Sequence, residues 1–505
     1  MASRPRTLQE LERSGYRSRS VKDEMRANVI RILRSGEPLF PGIVGYEHSV
    51  EPQIVNAVLS RHDFILLGLR GQAKTRILRG LARFLDEWIP AIEGCPLHSD
   101  PFQPLSHHAR TMIEARGGDA PIEWIARELR YQEKLATPDV TIADLIGDID
   151  PIKAATLKLD YSDERVIHYG IIPRTNRGIF AINELPDLQP RIQVGLLNLL
   201  EEKDFQIRGF PVRMPLDVVM VFSANPEDYT NRGNIISPLR DRISSQIMTH
   251  YPLTREHGMQ ITEQESWTAR DAGVEVVVPS FVRELIEEVA IQARRSEYVD
   301  QNSGVSARLP IALIENVVSN AERRGLKTGE ERVVARICDL ANAVSGVSGK
   351  VELVLEGEQE GAMNVARALL GRGVKSLFSQ RFPDAYKPKR GRGGQGARGE
   401  APSEGELTSS EYRPILEWFS AGNHLEISDD MAQPEFALAL AQVKGLEKLA
   451  ARHLQPASPE EAAVAMELVL EGLHQNSILS RDRTDGTTTS YKDMLKSMLS
   501  GLGED

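Results

Sequence analysis

Residues 64–75 constrain this chain more than any other stretch. The apolar run Phe64-Ile65-Leu66-Leu67 leads straight into Gly68-Leu69-Arg70-Gly71-Gln72-Ala73-Lys74-Thr75, and a helical pattern follows. A buried strand that delivers a glycine-rich loop to a helix N-terminus makes a phosphate-binding P-loop, because free backbone N–H groups and the helix dipole favour an anion there. In this reading the loop backbone cradles the phosphates, Lys74 reaches the β- and γ-phosphates, and Thr75 ligates Mg²⁺. Residue 73 departs from the general pattern, which has glycine. Its methyl group fits only near helical φ, and one residue before the helix that conformation is expected.

What surrounds the loop narrows the choices. A chain of 505 residues has room for two to four domains. A net charge of -11 argues against a general nucleic-acid coat, since phosphate binding draws on an excess of Lys and Arg. Cys95 and Cys338, the only cysteines, offer no disulfide framework and suit a reducing compartment, so a cytoplasmic location is expected. No uninterrupted apolar stretch approaches a membrane span, and the N-terminus lacks the apolar core of a signal peptide.

Periodicity divides the chain into six parts. Residues 1–39 form a helical arm with apolar positions at Val29, Ile30, Ile32 and Leu33. Residues 40–255 alternate short apolar strands with helices, the pattern of a mainly parallel sheet covered on both faces. Its strands include Phe64 to Leu67, Ile179 to Ile182 and Val218 to Phe222, a helical run spans Leu188 to Leu200, and a β-hairpin turning near Gly209 precedes the last strand. Residues 256–345 read as a helical lid with stripes at Val282, Leu285, Ile286 and Val289 and at Ile311, Ile314 and Val317. Thr328 and Glu331 have the spacing of a capping box before a third helix. Residues 346–385 are a mixed extension, 386–410 a flexible basic Gly-rich linker, and 411–505 a helical C-terminal module. The fold class expected is α/β, a P-loop domain followed by helical parts.

Candidate chemistry follows the same order. Gly178 to Glu184 is an apolar strand ending in two polar residues, about a hundred residues after the loop, where a Walker B motif belongs. There the first polar residue holds a water on Mg²⁺ and the second polarises the attacking water. Asn183 fills the first position; its amide can accept a hydrogen bond from a metal-bound water but adds no charge, so metal affinity should weaken. Glu184 keeps the base position. Asn225, at the end of the next strand, suits a residue that orients the lytic water, although Asn-Pro also starts turns. Pro238 to Ile243 carries Arg240 and Arg242, and Ser306-Ala307-Arg308 opens a helix. Cys95, His98, His107 and His108 sit in an insert, but their spacing fits no common Zn²⁺ pattern, and a solvated loop is the simpler reading.

Phe40-Pro41-Gly42-Ile43-Val44-Gly45, the Gly-x-x-Gly-x-Ala-Lys-Thr loop, Arg177 to Phe180 leading into Asn183-Glu184, Asn225-Pro226-Glu227 and Asp241-Arg242 together resemble the AAA+ ATPases of the magnesium chelatase I subunit and MoxR group. The resemblance covers about residues 36–345. It implies an AAA+ domain with a helical lid and a homo-oligomer, expected as a hexameric ring, with ATP and Mg²⁺ as cofactors. The ATP-binding set is then Ile43, Val44 and Gly45 at the adenine, the loop from Gly68 to Thr75, Arg76, and Arg308 as sensor 2. The catalytic set is Glu184, Asn225 as sensor 1, and Arg242 as an arginine finger aimed at a neighbouring subunit, with Arg240 as second choice. Thr75 and, through water, Asn183 serve the metal. In this group the partner often carries a von Willebrand A domain, and the work is metal insertion or chaperone-like activation. Two rival readings stay open: an ATP-binding scaffold with weak hydrolysis, motivated by Asn183, and a nucleic-acid-directed regulator, motivated by the hairpin and the basic linker.

Overall fold

Alternate residues of five short strands face opposite sides of one sheet, and both sides are apolar. In the computed structural model these are β1 (Phe64–Leu67), β2 (Tyr131–Leu135), β3 (Gly178–Asn183), β4 (Val218–Ala224) and β5 (Ser245–Met248). They lie in the order β5-β1-β4-β3-β2, all parallel. The structure describes residues 4–161, 163–207, 213–226, 234–270, 273–384, 386–387, 406–407, 411–484 and 487–494. By Cα proximity the chain forms two compact units, Met1–Tyr251 and Pro252–Asp505.

In the first unit one sheet face contributes Phe64, Leu66, Ile179, Ala181, Val219 and Val221. It packs on Val21, Met25, Val29 and Ile32 of the N-terminal helix Val21–Ser35, and on Ile77 and Leu78 behind the P-loop. The opposite face contributes Ile65, Leu67, Phe180, Ile182, Met220 and Phe222, packed on Ile192, Leu199 and Leu200. A parallel sheet buried on both faces is the α/β arrangement expected. The N-terminal helix starts where the Ser20 side chain accepts from Asp23 N and stops at Gly36, whose φ of 71° suits glycine. A buried ion pair ties it to the sheet: both Nη atoms of Arg130 donate to the Glu24 carboxylate at 2.7 Å, and Arg130 Nε donates to Arg177 O at 2.8 Å. Removing one partner of such a pair strands the other charge, which makes it a registering contact rather than a large net stabiliser.

Between β1 and β3 the chain inserts the antiparallel pair Trp88–Ile92 and Ile122–Ala126, with the helix His107–Arg116 between them. The segment read as a solvated loop is therefore folded. Cys95 is buried with its Sγ 3.1 Å from Ser99 Oγ and 3.0 Å from Ser106 Oγ, and the half-buried His98 imidazole has its pKa lowered by burial. The expected hairpin is present as the pair Asp204–Gln206 and Arg213–Pro215; its turn, 208–212, lies outside the described residues.

The second unit has a continuous apolar core running from Val274 to Tyr491. The helices Ser280–Ala293, Arg308–Thr328 and Ala362–Arg381 share that core with Arg413–Ser420, Gln433–Ala441, Leu446–Leu454 and Pro459–Gln475. Glu467 accepts backbone N–H bonds from Ile337 (2.8 Å) and Cys338 (3.0 Å), and burial pushes its carboxyl up to about 7. The helical module also carries a three-stranded antiparallel sheet, with Thr488–Asp493 between Leu425–Ser428 and Leu479–Thr484. The capping box read at Thr328 and Glu331 is overturned. The helix runs through Thr328 to a left-handed Gly329, the strand Arg332–Val334 follows, and the next helix starts at Ile337 with Asp339 accepting from Arg336 N. Most of the basic linker lies outside the described residues. Among the described residues no helix is long and apolar enough to cross a membrane.

Candidate functional site

Parallel strands of one sheet end on a common edge, so whatever follows β1, β4 and β3 is brought together there. Leu67 pairs with Ala224 and Phe222 with Ile182, so the P-loop, Asn225 and the Asn183-Glu184 pair all leave the sheet at that edge. The order of the three strands sets Asn225 between the other two.

The P-loop is held from outside itself. Thr249 N donates to Leu67 O (2.7 Å), and the Thr249 hydroxyl donates to Gln72 Oε1 (2.7 Å). Tyr251 OH donates to Arg70 O (2.9 Å), and the Tyr46 hydroxyl reaches Gln72 O (3.0 Å) and His250 O (2.7 Å). Burial pushes the Tyr46 phenol up to about 12, which keeps it a donor. A Cβ on Gly68 would lie 1.9 Å from Thr249 Oγ1 and 2.2 Å from Gln72 Oε1, so a larger residue would displace both side chains and break the bond between them. Gly71 has φ 74°. Buried Lys74 donates to Gly68 O (2.5 Å) and Leu69 O (3.0 Å), which holds its ammonium over the loop. Thr75, half-buried, follows it in the helix Lys74–Gly80, and Arg76 is exposed. Ile43 and Arg76 line a cavity of about 290 Å³ behind this helix, while Val44 and Gly45 are half-buried in the preceding loop.

One expectation fails here. Ala73 has φ 55° and ψ 13°, in the left-handed region rather than the helical one. The loop must close onto the helix through that conformation, which costs a residue with a Cβ roughly 1–2 kcal/mol. Ala73→Gly is therefore expected to stabilise the chain by about 1 kcal/mol, net of the extra entropy that glycine gives the unfolded state. Thermal denaturation checks this, and an unchanged or lower midpoint would contradict the assigned backbone.

At the end of β3, Asn183 is buried and its Oδ1 accepts from Ser223 Oγ (3.2 Å). That hydroxyl orients the amide, and strand register sets Glu133 of β2 on the same face of the sheet. Glu184 is half-buried, its N–H donates to Ser223 Oγ (3.3 Å), and it has φ 56° and ψ 53°. A non-glycine residue held in that region at a strand end is a recognised mark of a functional position. Glu133 was not among the candidates, nor were Ser223, Thr249, Tyr46 and Tyr251. The Glu133 carboxylate is held below the usual range chiefly by Arg79, whose Nε lies 3.1 Å from both carboxylate oxygens, with Tyr131 OH adding a 3.0 Å bond.

Three arginine candidates remain. Arg242 ends the helix Ser237–Arg242, with Nε 2.7 Å from Glu201 Oε2 and Nη1 3.0 Å from Pro238 O; Arg240 is exposed. Arg308, in the second unit, is exposed at the first turn of its helix.

No protein-family profile matches the chain. Among curated proteins it is 23% identical over 269 residues to the ATP-dependent protease PrkA of Bacillus subtilis, covering 44% of this chain and 42% of that protein. It is 27% identical over 168 residues to the archaeal Lon protease of Thermococcus kodakarensis, covering 30% of this chain and 25% of that protein. The chain thus spans less than half the length of these curated relatives. Similar solved structures include a magnesium chelatase BchI–BchD complex (20% identity, TM-score 0.34, 63% of this chain and 98% of that one). An Hsp104 complex with casein is another (12% identity, TM-score 0.36, 64% and 53%).

Proposed function

We propose that this chain is an AAA+ ATPase that binds ATP with Mg²⁺ and hydrolyses it to remodel a partner protein, in the manner of the magnesium chelatase I subunit and MoxR group. The observation that carries the reading is the common edge of β1, β4 and β3, where a lysine-bearing glycine loop, a polar strand end and a left-handed glutamate meet. The donor set fits a polyphosphate: a glycine loop packed closely under Thr249 and Gln72 at Gly68, and a buried ammonium at Lys74. Similarity to an ATP-dependent protein of B. subtilis supports ATP as the nucleotide.

Bound Mg²⁺ would supply charge neutralisation at the phosphates, with Thr75 as ligand and Asn183 as acceptor for a metal-bound water. Lys74 would hold the β- and γ-phosphates, Glu184 would accept the proton of the attacking water, and Asn225 would orient that water. Arg242 would act on the nucleotide of a neighbouring subunit in a homo-hexamer. Arg308 is the residue to which the resemblance gives sensor 2. A von Willebrand A domain protein is the class of partner proposed, in the cytoplasm, where two buried free thiols stay reduced.

The test is Mg²⁺-dependent ATP turnover by the full chain against Glu184→Gln, across protein concentrations. Turnover that rises with concentration and drops about 10²–10⁴-fold in the variant supports an assembling motor. Equal turnover in both proteins, with nucleotide still bound, favours the second reading, a nucleotide-gated scaffold motivated by Asn183.

A further inference from the structure

We infer that Glu133 carries the negative charge that Asn183 lacks, and acts as a positioning residue for the cation that accompanies the nucleotide. The inference rests on the reading of this edge as an ATP–Mg²⁺ site.

Three observations lead to it. First, strand register: Glu133 pairs with Ala181 and Leu135 with Asn183. Side chains in register on neighbouring strands share a face, and so do alternate residues of one strand. Glu133, Ala181 and Asn183 therefore stand on the same side of the sheet, the side that packs on Ile77 and Leu78 of the P-loop helix. Second, the helix: Arg79, which grips Glu133, is four residues beyond Thr75, and residues at that spacing lie on one helix stripe. The stripe that carries the proposed metal ligand runs down onto Glu133. Third, the amide: Asn183 Oδ1 accepts from Ser223 Oγ, so the position is hydrogen-bonded without a charge of its own. A carboxylate at position 183 would keep the Ser223 bond but would stand on the same face as Glu133 as a like charge. A neutral amide at 183 leaves the Glu133 carboxylate, one strand over, as the negative group on this face.

Arg79 is the natural objection, because it already pairs with Glu133. Its side chain is 63% exposed against 27% for Glu133, so solvent screens the cation more than the carboxylate. This gives the pair opposite expected effects. Glu133→Gln, which keeps the shape and removes the charge, should weaken Mg²⁺ by about tenfold, whereas Arg79→Gln should leave it unchanged or tighten it.

The experiment titrates Mg²⁺ into the full chain with a fluorescent non-hydrolysable ATP analogue and reads analogue binding, with EDTA-treated samples as reference. Asn183→Asp alone should not improve the Mg²⁺ midpoint, because two carboxylates then share one site. Glu133→Gln with Asn183→Asp should restore the midpoint lost in Glu133→Gln. Failure of Glu133→Gln to move the midpoint overturns the inference, as does a parallel loss in Arg79→Gln, which would mark the pair as merely structural. Absence of analogue binding by the wild-type chain would instead overturn the nucleotide-site reading beneath it.

Discussion

Lys74→Ala abolishes nucleotide binding while the chain stays folded: this is the expected result with the largest effect on affinity. The Lys74 ammonium is buried and already bonded to Gly68 O and Leu69 O, so it is ordered in the loop before any ligand arrives. Charge-assisted hydrogen bonds are worth about 1.5–3 kcal/mol each, and losing two of them weakens binding roughly 10²–10⁴-fold. The loop does not depend on the lysine for its shape. Thr249, Tyr251 and Tyr46 hold Gln72 and Arg70 from outside, and none of these bonds involves Lys74. Loss of affinity with a denaturation midpoint within a few degrees of wild type is the outcome expected from a nucleotide titration paired with thermal unfolding. Undiminished affinity would refute the P-loop assignment.

The sequence makes this loop legible because everything that defines it is local: an apolar run, two glycines, a lysine and a helix start within 12 residues, 64–75. What holds the loop is not local. Thr249 lies 177 residues from its partner Gln72, and no motif announces a threonine that closes over a glycine. Glu133 escapes notice for a different reason. Tyr131-Gln132-Glu133-Lys134-Leu135 is an edge strand, half-buried along most of its length, and its polar residues hide the period that marks the inner strands. The same holds for Leu479–Thr484, an edge strand reading Leu-Ser-Arg-Asp-Arg-Thr in a module that otherwise looks helical. Ala73 shows the limit of a local rule. Nearness to a helix suggests helical φ, but closure of the loop imposes the left-handed conformation, whose cost the chain tolerates at one exposed position.

Arg242→Ala should lower assembly-dependent ATP turnover by about 10³-fold or more while leaving nucleotide affinity near wild type. The topology argues for action in trans. Ser245, three residues after Arg242, pairs with Phe64, the first residue of β1, whereas the P-loop follows Leu67 at the other end. At about 3.3 Å per residue the length of β1 separates the two ends. Arg242 therefore leaves its own sheet away from its own phosphates, and any nucleotide it serves belongs to a neighbour. Its bond to Glu201 is no obstacle, because a partly exposed ion pair of this kind is worth about 0–1 kcal/mol and exchanges readily for a phosphate oxygen. The pair instead supplies a control. Glu201→Gln frees the guanidinium without removing it and should leave turnover within a few-fold of wild type, and Arg240→Ala should do the same. Mixing Lys74→Ala subunits, which cannot bind nucleotide, with Arg242→Ala subunits, which lack the finger, should restore part of the activity at mixed interfaces. Recovery in the mixture establishes donation across an interface. A loss confined to Arg240→Ala would transfer the finger role to Arg240.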